Sequence, residues 1–442
     1  MLMAIVQNWP KKLDKIPKND IVNLVVLVNA VVWYLCFFSF LKNGSGITGN
    51  GLIIVFGINL ITTCLAAILS TKIIQKIENR LKFIKYWLIV GIFLSLLPLL
   101  VGSTFFDFTL ISNAVGTVPH IFTPTSVSFV MVSLISGVVG LYCGLGAPII
   151  MGYYSATTKS IHRAKISGLI IFSICFSFIP VILLARGPVS TAIVLVIWKL
   201  CGLLAIVLLK PSEAKINKDE NVSYKNVLKT REIVLYLIPW LMFCLVNNLA
   251  LPTLNIGFGS DFLAPMVMVE NMLAGIFAVI FGIAADYLGR KRLLFLGFTM
   301  MGFGYVTLGL FPLSKSGLYF YTLVDGIAWG IFTALFILTI WCDIADERNC
   351  EKFFAIGFLP YIFSTFLQIV FSQFITFSIT DFSRVFFFLS LFLFIAVTPL
   401  YLAPETLSEK DKRDNDLKIY LKKAQKKVEK EANKKTVKKI NC

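Results

Sequence analysis

The stretch Ala285-Asp286-Tyr287-Leu288-Gly289-Arg290-Lys291-Arg292-Leu293, ADYLGRKRL, sets four charged side chains into nine residues. On both sides the chain is almost wholly Ile, Leu, Val, Phe, Met, Gly and Ala. An island this short between two apolar runs reads as a turn between two membrane-crossing helices. Each run is about 20 residues, enough at 1.5 Å per residue to cross a hydrocarbon core about 30 Å thick.

The same punctuation recurs along the whole chain of 442 residues. Hydrophobic residues make up 57% and charged residues only 15%, where an average soluble chain carries roughly a quarter. Runs bounded by charge or turn residues give twelve predicted spans: 21–41, 51–71, 86–106, 127–152, 167–185, 190–209, 233–255, 263–284, 293–312, 317–342, 353–378 and 384–403. The expected fold is all-α and membrane-spanning. The first residues, ending NWPKKLDKIPKND, are too polar for the apolar part of a signal peptide.

The net charge of +17 follows the topology. With the N-terminus inside, 36 of 41 Lys and Arg residues fall in the N-terminus, the inner loops and the tail. That bias is the positive-inside rule and predicts both termini in the cytoplasm, with the cell membrane as the expected location. The tail KKAQKKVEKEANKKTVKKINC reads as a solvated segment near anionic headgroups rather than a nucleic-acid site. Seven of the nine cysteines fall within spans and none in an outer loop, so they read as small apolar residues. The two histidines, His120 and His162, lie on opposite sides and cannot share a metal. No cofactor is expected.

The longest polar interruption before the tail, 210–232, divides the spans into six and six. At an offset of 189, RAKISG opposes EKFFAIG and Gly137 opposes Gly326, and the halves end alike in LLKPSE and YLAPET. The expected organisation is a cytoplasmic N-terminus (1–20), a six-helix bundle (21–209), a central loop (210–232), a second bundle (233–403) and a basic tail (404–442). Repeats of this kind are characteristic of secondary transporters, whose substrate site lies near the midplane between the halves.

ADYLGRKRL is then the loop between the second and third spans of the second half. Here the chain resembles the major facilitator superfamily, whose loop motif is Gly-x-x-x-Asp-(Arg/Lys)-x-Gly-(Arg/Lys)-(Arg/Lys). The match is Gly282, Asp286, Gly289, Arg290 and Lys291, with Tyr287 where a cation is usual. The resemblance implies two pseudo-symmetric bundles and a cytoplasmic gate closed by this loop. It also implies, as the partner of Asp286, the start of the fifth span near Ser167-Gly168.

The motif has a physical reading of its own. Gly282 lets two helices approach closely, and Gly289 permits the chain reversal. Asp286 can face the positive N-terminal end of a helix from the other half while Arg290 holds its carboxylate. The alternative is that Arg290, Lys291 and Arg292 are topology anchors only. The equivalent loop of the first half, STKIIQKIENRLKFIK, lacks the motif. An asymmetric gate is therefore expected, in which Lys76 or Arg80 meets the acidic loop DIADERNCEK through Asp343, Asp346, Glu347 or Glu351.

Glu270 and Asp325 are the only acids well inside predicted spans, and Lys199 is the only such base. A charge near the bilayer centre costs at least about 2.5–3.5 kcal/mol, so such residues usually have a task. Both acids lie roughly 10–12 Å deep in spans of one half and are candidates for proton coupling or substrate binding. For Lys199 a structural ion pair or hydrogen bond is favoured over substrate contact. The substrate candidates are Asn29 and Tyr34 (span 1), Asn247 and Asn248 (span 7), Trp329 (span 10) and Gln368 (span 11). Asn and Gln also serve as interhelical glue in membranes.

The expected function is alternating-access transport of a small solute, coupled to protons, by a monomer surrounded by lipid. A uniporter or exchanger of the same fold is the alternative. A membrane enzyme is disfavoured because no loop gathers a catalytic or metal-binding set. ATP-driven transport is disfavoured by the lack of a Walker A sequence. A receptor that kept the fold is a further option. The fifth span lacks the Gly-Pro-x-x-Gly-Gly pattern of many drug–proton antiporters, and LIPWLMFCLVNNLALP lacks the Gln-Gln-Leu-Ser of sugar porters.

Overall fold

Hydrocarbon offers backbone N–H and C=O groups no partners, so a spanning segment must satisfy them internally as a helix. A computed structural model of the chain follows that rule. It describes residues 17–74, 77, 79–102, 124–212, 223–345, 350–374, 381–407, 413 and 417. Among them are twelve helices long and apolar enough to cross a membrane. Spans 1 to 6 are Lys18–Gly44, Asn50–Ile73, Arg80–Val101, Phe129–Thr157, Ser160–Leu184 and Pro188–Leu209. Spans 7 to 12 are Arg231–Phe258, Ser260–Leu288, Arg290–Leu310, Lys315–Ile344, Cys350–Phe374 and Phe382–Leu402.

Most spans run past their expected ends, because the polar residues that close each apolar run still complete the last helical turns. Spans 3 and 12 each break into two helices, around Ser95-Leu96 and at Ala396, both just before a proline (Pro98 and Pro399). Span 10 contains a π-helical segment, Thr333–Thr339. Pro148, Pro180, Pro239, Pro252, Pro265 and Pro360 all sit inside helices.

The halves meet along two seams. On one, span 5 packs along span 8; on the other, spans 2 and 4 pack against span 11. The start of span 1 and the end of span 12 lie at the same end of the bundle, together with the basic loops. This is called the basic end below. A short helix of the central loop, Tyr224–Lys229, lies there against the core, with Val227 buried.

Candidate functional site

Charged residues sit at the ends of spans, and folding gathers those of the basic end into one buried layer. Asp286 closes the last turn of span 8. Its carboxylate accepts from the backbone N–H groups of Ala164 (3.3 Å) and Lys165 (3.0 Å), the first turn of the span 5 helix. Free N–H groups and the helix dipole favour an anion at that position. The partner lies about one turn before the expected Ser167-Gly168. Gly168 instead takes part in the close packing beneath. A Cβ on Gly282 would lie 2.5 Å from the Ala164 carbonyl oxygen, and one on Gly168 would strike the Ala278 carbonyl. The helices touch backbone to backbone, and only then can Asp286 reach across.

Gly289 takes φ +95°, a conformation L side chains rarely adopt, and so joins spans 8 and 9 in a single residue. Arg290 follows, fully buried. It pairs with Asp343 at the end of span 10 (2.8 Å), lies 3.6 Å from Asp286, and donates to the Ser160 carbonyl of the other half (2.8 Å). Asp343 is shared. Arg163 of the first half pairs with it at 2.6 Å and also donates to the carbonyls of Ser155 and Thr158. Lys291 faces its own half, its ammonium donating to the carbonyls of Tyr401 (2.7 Å) and Ala403 (2.6 Å). Glu405, of the repeated YLAPET ending, accepts from the N–H of Arg290 and caps span 9.

On the second seam Arg80 pairs with Glu351 at 2.7 Å, both side chains buried. This is one of the pairings the sequence analysis expected between these loops. Lys76, Asp346 and Glu347 lie outside the described residues. Between the seams a hydrogen-bonded chain crosses the halves: Tyr154 to Ser167 (2.8 Å), then Ser167 to Thr339 (2.9 Å), at the end of the π segment of span 10.

Two further groups lie deeper. Glu270 stands ten residues from Ser260 and Asp325 ten from Lys315, so they share a depth. Their carboxyl groups neighbour each other. The hydroxyl of Tyr321 donates to Asp325 at 2.9 Å. Asp325 is buried and Glu270 partly exposed.

Lys199 has neither the ion pair nor the hydrogen bond expected of it. Its ammonium has no hydrogen-bond partner among the described residues. It lies instead among three aromatic rings, 4.1 Å from the centre of Trp87, 4.8 Å from Trp33 and 5.3 Å from Tyr142. Ring faces attract a cation, and more strongly where water is excluded.

The substrate candidates separate. Asn29 is buried between spans 1 and 6, its amide donating to the Trp198 carbonyl while the Trp198 indole donates to its own carbonyl at 3.2 Å. That is the interhelical role, away from the junction of the halves. Asn248 likewise ties span 7 to span 11 through Ser364 (2.9 Å). Tyr34 donates to Asn59 (3.3 Å). The Trp329 indole donates to Asn247 (3.3 Å), and its ring packs edge-on to Phe243. Gln368 is partly exposed two turns beyond Tyr361.

Arg163, Tyr154 and Thr339 escaped the sequence analysis. Arg163 had a signal, a cation at a span start, but so does any topology anchor.

Two packed six-helix bundles joined by a polar layer at one end define a class of fold, the two-bundle α-helical membrane protein. Solved structures narrow it. The chain is similar to a bacterial homologue of the iron transporter ferroportin in an outward-facing state, at 14% identity and a TM-score of 0.66 over 87% of this chain and 98% of that one. It is similar to the human organic anion transporter MFSD10, at 10% identity and TM-score 0.58, over 87% of this chain and 100% of that one. It is also similar to the major facilitator superfamily proton:xylose symporter XylE, at 13% identity and TM-score 0.61, over 88% of this chain and 96% of that one. No family model matches the sequence, and no curated protein matches it. The chain has the fold of the major facilitator superfamily.

Proposed function

We propose that this protein is a secondary active transporter of a small solute, working by alternating access with proton coupling. The observation that carries the reading is the buried ionic layer between the halves at one end. Arg163–Asp343 and Arg80–Glu351 both join one bundle to the other, and Asp286 caps a helix of the opposite bundle. A closed end held by separable contacts is what rocking bundles require, and Gly282, Asp286, Gly289 and Arg290 form its hinge and latch. Lys291 fixes the end of span 12 to that hinge. The concentration of Lys and Arg supports a cytoplasmic position for this end and for both termini, in the cell membrane, with the two bundles at 21–209 and 233–403. The protein works as a monomer among lipids and binds no nucleic acid.

Glu270 and Asp325 are the proton carriers of this reading, since two neighbouring carboxyl groups at one depth hold one proton between them and release it when separated. The test uses the full chain reconstituted in vesicles with an acid exterior and a panel of radiolabelled solutes. Gradient-driven accumulation should be abolished by a proton ionophore. Asp325→Asn and Glu270→Gln should each lose accumulation while keeping exchange of the same solute down its gradient. Accumulation surviving in both variants would overturn the coupling assignment, and accumulation indifferent to the ionophore would make the protein a uniporter or exchanger.

A further inference from the structure

We infer that the central-loop helix Tyr224–Lys229 is a docking surface for an anionic phospholipid. The helix has two sides of different chemistry, and the first holds it to the protein. Val227 is 1% exposed, and the helix packs against spans 7 and 11 of the second bundle. Tyr224, one turn earlier, shares a hydrogen bond of 2.9 Å with Thr71 at the end of span 2. Its ring lies 5.9 Å from the Lys352 ammonium of span 11. One side chain thus touches both halves. Only Thr230 separates the helix from span 7, which begins at Arg231. The helix is therefore fixed where spans 2, 7 and 11 reach the membrane surface.

The other side is unused by the protein. Lys225 and Lys229 are exposed and four residues apart, so they share a face. Leu228 lies beside them at 47% exposure. Lys72, next to Thr71, and Arg231 are exposed as well. None of these four cations forms an ion pair with a described residue. Among residues 223–232 the acid beside them is Glu232, also exposed. A row of cations next to an exposed leucine at headgroup level is the pattern of a helix lying in the interface. The leucine enters the acyl boundary while the ammonium groups meet phosphate. A free phosphate compound satisfies the lysines and leaves Leu228 in water; a neutral lipid covers Leu228 and leaves the lysines unpaired. The combination selects a lipid with net negative charge, worth about fivefold in affinity for each Lys or Arg near it. That lipid sits at the second seam, under the side chain that joins the halves.

The test is a titration of the full chain, cysteine-depleted, with an environment-sensitive fluorophore at Leu228→Cys. The probes are short-chain phosphatidylglycerol, short-chain phosphatidylcholine and glycerol phosphate. Phosphatidylglycerol is expected to shift the emission to the blue, with an affinity about tenfold or more above that of phosphatidylcholine. Glycerol phosphate, lacking acyl chains, should give no shift. Adding Lys225→Gln and Lys229→Gln together should bring phosphatidylglycerol down to the phosphatidylcholine level. Both lysines are exposed, so this variant should keep the parent melting temperature. Phosphatidylglycerol should also raise the melting temperature of the unlabelled parent, in which Leu228 is intact, and raise it less in the double lysine variant. Equal affinity for the two lipids would overturn the inference, as would binding that survives the loss of both lysines. A response to glycerol phosphate matching that to phosphatidylglycerol would make the surface a free-phosphate site and overturn it too. The titration requires no transport, so its outcome is independent of the transport reading.

Discussion

The two seams at the basic end close the same interface by different physics. Along spans 5 and 8 the limit is geometric. Gly168, Ala278 and Gly282 bring backbone against backbone, and Asp286 then meets N–H groups that no side chain had to supply. Along spans 2, 4 and 11 the limit is electrostatic. Bulkier side chains, Met151, Phe354 and Phe358, leave a small gap, and the buried ion pair Arg80–Glu351 stands where the first seam has a helix cap. The seam that lost the glycine-rich motif is held by long charged side chains in its place. The difference shows that one interface can be closed by approach or by reach, and that the two fail under different substitutions.

The largest effect is expected at Asp343, the carboxylate that Arg163 of the first half and Arg290 of the second share. Asp343→Ala leaves two buried guanidinium groups without their shared carboxylate, a loss of about 3–5 kcal/mol. It should abolish the closed form, read as basic-end cysteines becoming reactive to a membrane-impermeant thiol reagent. Gly282→Leu should come next, separating spans 5 and 8 at a cost of about 1–3 kcal/mol. A leucine there that leaves the melting temperature and the reactivity unchanged would break the geometric half of the comparison. On the other seam, Glu351→Gln should weaken closure while the exchanged pair Arg80→Glu with Glu351→Arg recovers part of it. A matching volume change at Gly152, against which Glu351 packs, should matter as well. The smallest effect is expected at Tyr224. Its hydroxyl shares a hydrogen bond of 2.9 Å with Thr71 of span 2, and its ring lies 5.9 Å from the ammonium of Lys352 in span 11. Tyr224→Phe should cost about 1 kcal/mol, seen as a modest drop in melting temperature.

The fold could be read almost entirely from the chain, because apolar length, Lys and Arg bias and the six-plus-six repeat each act through local composition. The first seam was legible for a related reason. Gly282, Asp286, Gly289 and Arg290 are contiguous, and each residue type has a narrow physical use. The second seam was half legible: acids in one loop and bases in another suggested a meeting, but which pair meets depends on side-chain reach. Arg163 could not be distinguished from an anchor, since its role depends on Asp343, 180 residues away in sequence. Lys199 misled for the opposite reason. A lone buried cation invites the search for an acid, while its actual surroundings, Trp33, Trp87 and Tyr142, come from three other spans and look like ordinary core. Asn29 and Asn247 carry the same side chain in similar runs, and only packing separates glue from a group at the junction.

The central claim, that the basic end is a gate rather than a permanent fusion, is tested most directly by a distance across it. Spin labels at the exposed positions Lys159 and Arg292, in a cysteine-depleted full-length chain in lipid nanodiscs, would report that distance by pulsed electron resonance. The account predicts one short population in the parent protein and a longer one, displaced by several ångströms, on adding Asp343→Asn. An unchanged short distance in that variant would contradict it.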